Sequence, residues 1–401
     1  METSLCCNVS GFRTACVRAG IKEKTDGEDF GIIVAEKPVP AAGVFTLNSA
    51  AAAPVKLSRL HLNGGSPVRA VLVNSGNANA CTGREGRENC LRLGRALAEG
   101  LDTDEEHVLY ASTGVIGHQI PVQAMLERIP LLIRNLDNTA GFQLARTIMT
   151  TDTVPKWSTV HGYLGGRKVT VSGIAKGSGM IAPNMATMLG FVLTDAAVSS
   201  EILRKVWSDV TSCTFNRVTV DSDTSTNDTA IILASGKAGN SEISSEDSSE
   251  YARFRDLLFT AVNPLAKAIA RDGEGATKLV KIEASGFGDD ESCSVIARAI
   301  AESPLVKTAL FGSDPNWGRI VAAAGKTGVD FSPENISVHV SGTPVLVRGT
   351  PVPFDRALLK ASLDSHEVYI SIQGNAARGY GHMYTCDYSY DYIKINAEYH
   401  T

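Results

Sequence analysis

What the chain lacks narrows its function before any motif is read. No stretch approaches the 18 or more apolar residues that a membrane-spanning helix needs, so no membrane partner is expected. The formal charge is −5, with no clustered Lys and Arg, which excludes nucleic acid as the main partner. The eight cysteines show no CxxC spacing and the histidines are scattered, so no metal site is expected and the thiols are read as reduced. The opening run METSLCCNVSGF lacks a basic region followed by an apolar one, and a cytoplasmic location is the expectation. What is present is ordinary for a globular enzyme: 43% hydrophobic and 20% charged residues. A length of 401 residues fits two or three domain-sized units or one large α/β body.

Strand and helix patterns alternate along the chain. Gly31 to Lys37 and Val68 to Gly76 read as short β-branched strands stopped by Gly, Pro or Asn. Apolar residues three and four apart predict helices from Gly83 to Leu101 and from Pro121 to Leu136, the second kinked or split by Pro130. A strand from Lys168 to Ala175, another after Thr187 and a long helix from Ser249 to about Arg271 follow, and each half is expected to own its sheet. Gly236 to Glu250 is polar and acidic, with nothing to bury, and is assigned to the surface. Tight turns such as that in VHVSGTPVLV imply mixed or antiparallel sheets in a layered α/β (α+β) fold.

The run IAKGSGMIAPNMATMLG, Ile174 to Gly190, holds the candidate chemistry. Lys176 puts a charge just before an apolar stretch, a glycine pair permits close backbone approach, and Pro183-Asn184 forces a turn ahead of Ala186-Thr187. A threonine after such a turn can attack the preceding carbonyl and cut the chain, freeing an amine that serves as base for its own hydroxyl. On residues alone, a core strand with one hydrogen-bonded threonine is the better explanation of the segment. Thr113-Gly114 is similarly two-sided: a capped turn, or a hydroxyl and an amide aimed at an oxyanion. Gly273 to Lys278 lacks the GxxxxGK[ST] spacing of a phosphate loop, and GSGM lacks the third glycine of a dinucleotide fingerprint. The acidic run Asp221 to Thr229 lacks the glycine and terminal glutamate of a calcium loop and is read as a structural loop near the site.

KGSGMIAPNMATML resembles the self-cleavage segment of the ornithine acetyltransferases, the glutamate N-acetyltransferases of arginine biosynthesis. The likeness recurs in order at GFRTACVRAGIK, VNSGNANACTG, ASTGVIG, IMTTDTVPK, DSDTSTNDT, ARDGEGATKL, GSDPNWGRI and INAEY, and so spans nearly the whole chain. It implies a helix, sheet, sheet, helix architecture and cleavage between Ala186 and Thr187 into an α chain, 1–186, and a β chain, 187–401, paired as α2β2. It implies Thr187 as nucleophile, Thr113 and Gly114 as oxyanion hole, and Thr150, Lys176, Thr187, Glu274, Asn396 and Thr401 as the substrate site. Within that site Lys176 is expected to meet a carboxylate or the reacting centre, and Glu274 the side-chain amine of ornithine. The implied reaction moves acetyl from N2-acetyl-ornithine to glutamate through an acetyl ester, without a cofactor. Whether acetyl-CoA is a second donor stays open, since some family members accept it and others do not. A self-cleaving aminopeptidase or amidase of similar architecture is the competing enzyme reading, and an uncut binding protein the non-enzyme one.

Overall fold

The computed structural model describes residues 6–22, 26–182 and 188–398. In chain order the first body contains β1 (Phe12–Val17), β2 (Phe30–Val39), β3 (Ala41–Phe45), α1 (Ala53–Asn63), β4 (Val68–Asn77), α2 (Gly83–Gly100), β5 (Val108–Val115), α3 (Val122–Arg134) and α4 (Gly141–Thr147). It continues with β6 (Lys156–Leu164), β7 (Arg167–Lys176), β8 (Leu189–Thr194), α5 (Ser200–Cys213), β9 (Thr229–Ala234) and α6 (Ser249–Arg271). Two sheets result, ordered β1-β2-β4-β5 and β3-β9-β8-β7-β6.

Successive strand residues point to opposite faces, and in the central strands of both sheets both faces are buried. Ile33, Val71, Val73 and Leu109 of the first sheet meet Ile174, Phe191, Leu193 and Ile231 of the second in one core. Their neighbours Ile32, Val34, Leu72 and Val108 turn outward onto Leu93 and Leu97 of α2 and Met125 and Ile129 of α3. Val171, Val192 and Ile232 of the second sheet turn onto Val206 and Trp207 of α5 and Phe254 and Leu258 of α6. The body is therefore helix, sheet, sheet, helix. Double burial explains why TAIILA in β9 is an unbroken apolar run rather than an alternating one. Phe191, fully enclosed between the sheets, contributes roughly 1.5 to 3 kcal/mol by burial.

A second body follows: β10 (Leu279–Ser285), α7 (Asp290–Ala301), α8 (Pro304–Phe311), α9 (Trp317–Gly325), β11 (Ser337–Val340), β12 (Thr343–Val347), β13 (Thr350–Pro351), α10 (Arg356–Leu363), β14 (Glu367–Gln373) and β15 (Tyr380–Cys386). Its sheet runs β13-β12-β11-β14-β10-β15 and is covered by α7 to α10 through Ile296, Ile300, Leu310 and Leu359. The chain then enters α11 (Tyr390–Glu398), in which no residue is buried. Among the described residues no helix is long and apolar enough to cross a membrane.

Three expectations are refined. Each half owns a sheet, β1-β2-β4-β5 before position 187 and β10 to β15 after it, but the middle sheet is shared, taking β3, β6 and β7 from before position 187 and β8 and β9 from after it. Pro130 neither splits α3 nor ends it, because it lies on the exposed side, where water can satisfy the carbonyl its ring leaves free. The acidic loop before α6 is pinned as well as exposed, since Ile243 bridges to Val198 and is 3% exposed.

Candidate active site

β5 and β7 end at the same rim of the sandwich, and α6 aims its C-terminus there. Around that rim lies a cavity of about 110 Å³ lined by Thr113, Gly114, Thr150, Lys176, Glu274 and Asn396 among others. The structure thus gathers these expected residues around one space. Thr187, Ala186 and Thr401 lie outside the described residues, but Met188 and Leu189 line the same cavity.

Gly114 sits at the irregular end of the β4–β5 pairing with φ of +131°. A Cβ there would come within 2.3 Å of the Gly76 carbonyl carbon, so only glycine fits. The VNSGNANACTG motif shapes this corner. Asn74 accepts from the Ser112 hydroxyl (2.6 Å) and donates to the Asn77 carbonyl (2.8 Å). From the opposite wall Asn227 donates to the carbonyls of Ala78 (2.5 Å) and Ser112 (2.9 Å), tying the acidic run to the Gly114 corner.

Lys176 closes β7 and is 7% exposed. Its ammonium donates to the Thr150 hydroxyl at 2.8 Å and, at a long 3.5 Å, to that of Thr113. Because the lysine uses oxygen lone pairs, the Thr113 proton is free to point at a substrate oxygen. Beneath lies a chain of buried charges. Asp152 stands 3.8 Å from Lys176 and accepts from Lys156 (2.6 Å), the Gly177 amide (2.7 Å) and the Thr150 amide (3.1 Å). Lys156 also reaches Asp272 at 2.5 Å. Burial pushes the Asp152 carboxyl up, but the Lys176 and Lys156 charges and the Gly177 hydrogen bond outweigh it, and the pKa is held down at about 2. Asp152 is therefore a fixed anion set between the two lysines.

Glu274 is placed through the same network. The Ser178 hydroxyl donates to the Asp272 carbonyl (2.6 Å), and the Glu274 amide donates to the Ser178 carbonyl (2.9 Å). A Cβ on Gly179 would fall 2.3 Å from the Glu274 carboxylate, so the glycine serves close approach. From α11 the Asn396 amide donates to Glu274 at 2.9 Å. Asp221 clamps the far side, accepting from the amides of Met180 (2.6 Å) and Ile181 (2.7 Å). Burial lifts its pKa to about 6 despite those amides.

Asp152, Lys156, Asp272 and Asp228 are the site groups that the sequence reading missed. Asp152 and Lys156 stand inside the quoted motif IMTTDTVPK and Asp228 inside DSDTSTNDT, so the motifs marked the segments without giving these residues a role.

A buried lysine, a threonine hydroxyl within its reach and a carboxylate around one small cavity at the rim of a four-layer sandwich are the equipment of an enzyme acting on a small molecule. Residues 13–401 match the ArgJ family, and this chain belongs to that family, acyltransferases of arginine biosynthesis. It is 44% identical over 407 residues to the arginine biosynthesis bifunctional protein ArgJ of Thermosynechococcus vestitus, across 98% of this chain and 96% of that one. The protein of the same name from Staphylococcus epidermidis is 42% identical over 391 residues, across 98% and 97%. A crystal structure of the Bacillus halodurans arginine biosynthesis bifunctional protein is 42% identical, with a TM-score of 0.52. The match covers 53% of this chain and 100% of that chain.

Proposed function

We propose that the protein is a self-cleaving glutamate N-acetyltransferase in which Thr187 carries acetyl from N2-acetyl-ornithine to glutamate. The observation that carries this reading is the cavity itself, whose walls come from both sides of position 187. Lys176 and Leu189 are paired neighbours on β7 and β8, so the proposed cut falls in a connection whose two ends are held together.

In maturation the Thr187 hydroxyl adds to the Ala186 carbonyl, the C–N bond breaks, and water releases the resulting ester as a 186-residue α chain. The β chain keeps 401 − 186 = 215 residues. The halodurans crystal chain, matched in full by 53% of this one, has the extent expected of such a piece. In turnover the freed amine takes the hydroxyl proton as oxygen attacks the acetyl carbonyl. The Gly114 amide and Thr113 hydroxyl receive the oxyanion, and the proton passes to the ornithine nitrogen as it leaves. Glutamate then attacks the ester by the same steps reversed. Glu274 pairs with the ornithine ammonium, Lys176 with the substrate carboxylate or the reacting centre, and Thr150, Asn396 and Thr401 supply hydrogen bonds. The relatives' name, bifunctional, supports acetyl-CoA as a second donor, and the two chains assemble as α2β2 in the cytoplasm.

Intact mass should show two pieces, the second beginning Thr-Met-Leu-Gly, and Thr187→Ala should remain one inactive chain. Donor alone should add one acetyl to the Thr187 peptide, and later glutamate should remove it as N-acetylglutamate. A cut Thr187→Ala protein, or no acetylated peptide in rapid-quench samples, overturns the scheme.

A further inference from the structure

Beside the catalytic cavity lies a larger one that no step above uses. It holds about 620 Å³, against about 110 Å³ for the first, and the two spaces share their walls. Gly273 and Gly275 line the larger space while Glu274, between them, lines the smaller; on α11, Ile395 lines the one and Asn396 the other. Asp272, the outer end of the buried charge series, also lines the larger space, but its oxygens are already taken by Thr153 and Lys156.

The remaining lining is apolar surface with charges of both signs. Val154, Ala268 and Ile395 offer contact to a short aliphatic chain. Arg271 brings a cation from the end of α6, and Lys394, Asp391 and Glu398 bring one cation and two carboxylates from α11. Arg271 gives one nitrogen to Glu367, which leaves further guanidinium N–H groups to donate. Lys394, Asp391 and Glu398 have no ion-pair partner among the described residues. Yet Lys394 follows Asp391 by three residues and precedes Glu398 by four, the spacings at which helical ion pairs form. These three charges are therefore available to a molecule in the cavity.

We propose that this cavity binds a free basic amino acid and that the bound molecule ties α11 to α6. Its carboxylate bridges Arg271 and Lys394, its α-ammonium and side-chain cation pair with Asp391 and Glu398, and its methylene groups lie on Val154 and Ile395. A neutral amino acid would leave one carboxylate of α11 unmatched, and a dicarboxylate would bring like charges together. Because no residue of α11 is buried, such a bridge adds much to what holds that helix. The effect on turnover rests on the acetyl-transfer reading above. With α11 held, ornithine leaves and glutamate enters more slowly, so the ligand lowers kcat without raising KM for acetyl-ornithine. A molecule competing for the Glu274 pocket would raise KM instead.

L-Lysine is the probe, and L-norleucine, the same chain without its side-chain ammonium, is the control. Equilibrium dialysis of labelled L-lysine uses Glu274→Gln, in which the catalytic cavity has lost its own partner for an ammonium, and should show one saturable site. Adding Lys394→Ala or Glu398→Gln should weaken that binding about tenfold, as the loss of a hydrogen bond between charged groups does, and L-norleucine should bind weaker by a similar factor. In the otherwise wild-type enzyme, Lys394→Ala and Glu398→Gln should keep kcat and KM in the absence of probe and should lose the fall in kcat that L-lysine causes. Absence of a saturable site, equal binding by the variants, equal binding of L-norleucine, or inhibition that only raises KM overturns the proposal. Dialysis needs no acetyl transfer, so a wild-type protein inactive toward acetyl-ornithine would count against the proposed function, and binding alone would then decide the site.

Discussion

The floor and the roof of the cavity are built in opposite ways. The floor is a closed set of buried charges, Asp152, Lys156, Lys176 and Asp272, each with named partners and anchored on β6, β7 and the end of α6. The roof is α11, a helix with no buried residue, which exposes Tyr390 and Ile393 and meets the cavity through the hydrogen bond of Asn396 to Glu274. Low local stability belongs to elements with few buried contacts. A carrier mechanism needs both. Under the scheme proposed above, Thr113, Gly114 and Lys176 hold still while ornithine leaves before glutamate enters.

Four measurements break or sharpen this contrast. Asp152→Ala attacks the floor most severely, because it takes from buried Lys176 its carboxylate partner among the described residues and leaves Lys156 with Asp272 alone. Urea unfolding should show a loss of about 3 to 5 kcal/mol, and an unchanged midpoint would mean the floor is not one unit. Thr113→Ala removes one donor at the floor's edge, and kcat should fall about 10²- to 10³-fold with little change in KM. Acid titration tests the same floor without mutation. The Asp152 carboxyl has a folded pKa depressed to about 2 against an unfolded value of about 3.9. Its contribution, roughly 2 to 3 kcal/mol, is fully present above the unfolded value and is lost as pH falls through about 2. Asp152→Asn should lack that part of the acid dependence. Asn396→Ala touches only the roof: KM for acetyl-ornithine should rise about fivefold, near 1 kcal/mol, with the unfolding midpoint unchanged. A fall in stability there would make α11 part of the folded core.

The fold was more legible than the floor. Runs such as TAIILA and the apolar stripe of the Gly83 to Leu101 segment announce strand and helix by period alone. Their assembly is not local information: nothing in the sequence of β3 says that it leaves its neighbour β2 to pair with β9, some 190 residues later. Asp152 and Lys156, four apart beside a proline, read like any exposed ion pair until β7 and α6 close over them. Glu274 and Asn396 are 122 residues apart, and only the family likeness set them in one site before the structure did. Asp228 was hidden differently, inside a run of acids and hydroxyls whose one evident use, a calcium loop, it fails.

The interleaving of β7 and β8 fixes an order of events. Lys176 and Leu189 become neighbours only when the middle sheet has formed, so the proposed cut at Thr187 has to come after folding. Under the scheme proposed above, scission is then a permanent stamp on each molecule that reached its native sheet. In a preparation of the wild-type chain, the ratio of cut to uncut polypeptide on a denaturing gel counts the successful folders, with no activity assay and no added probe.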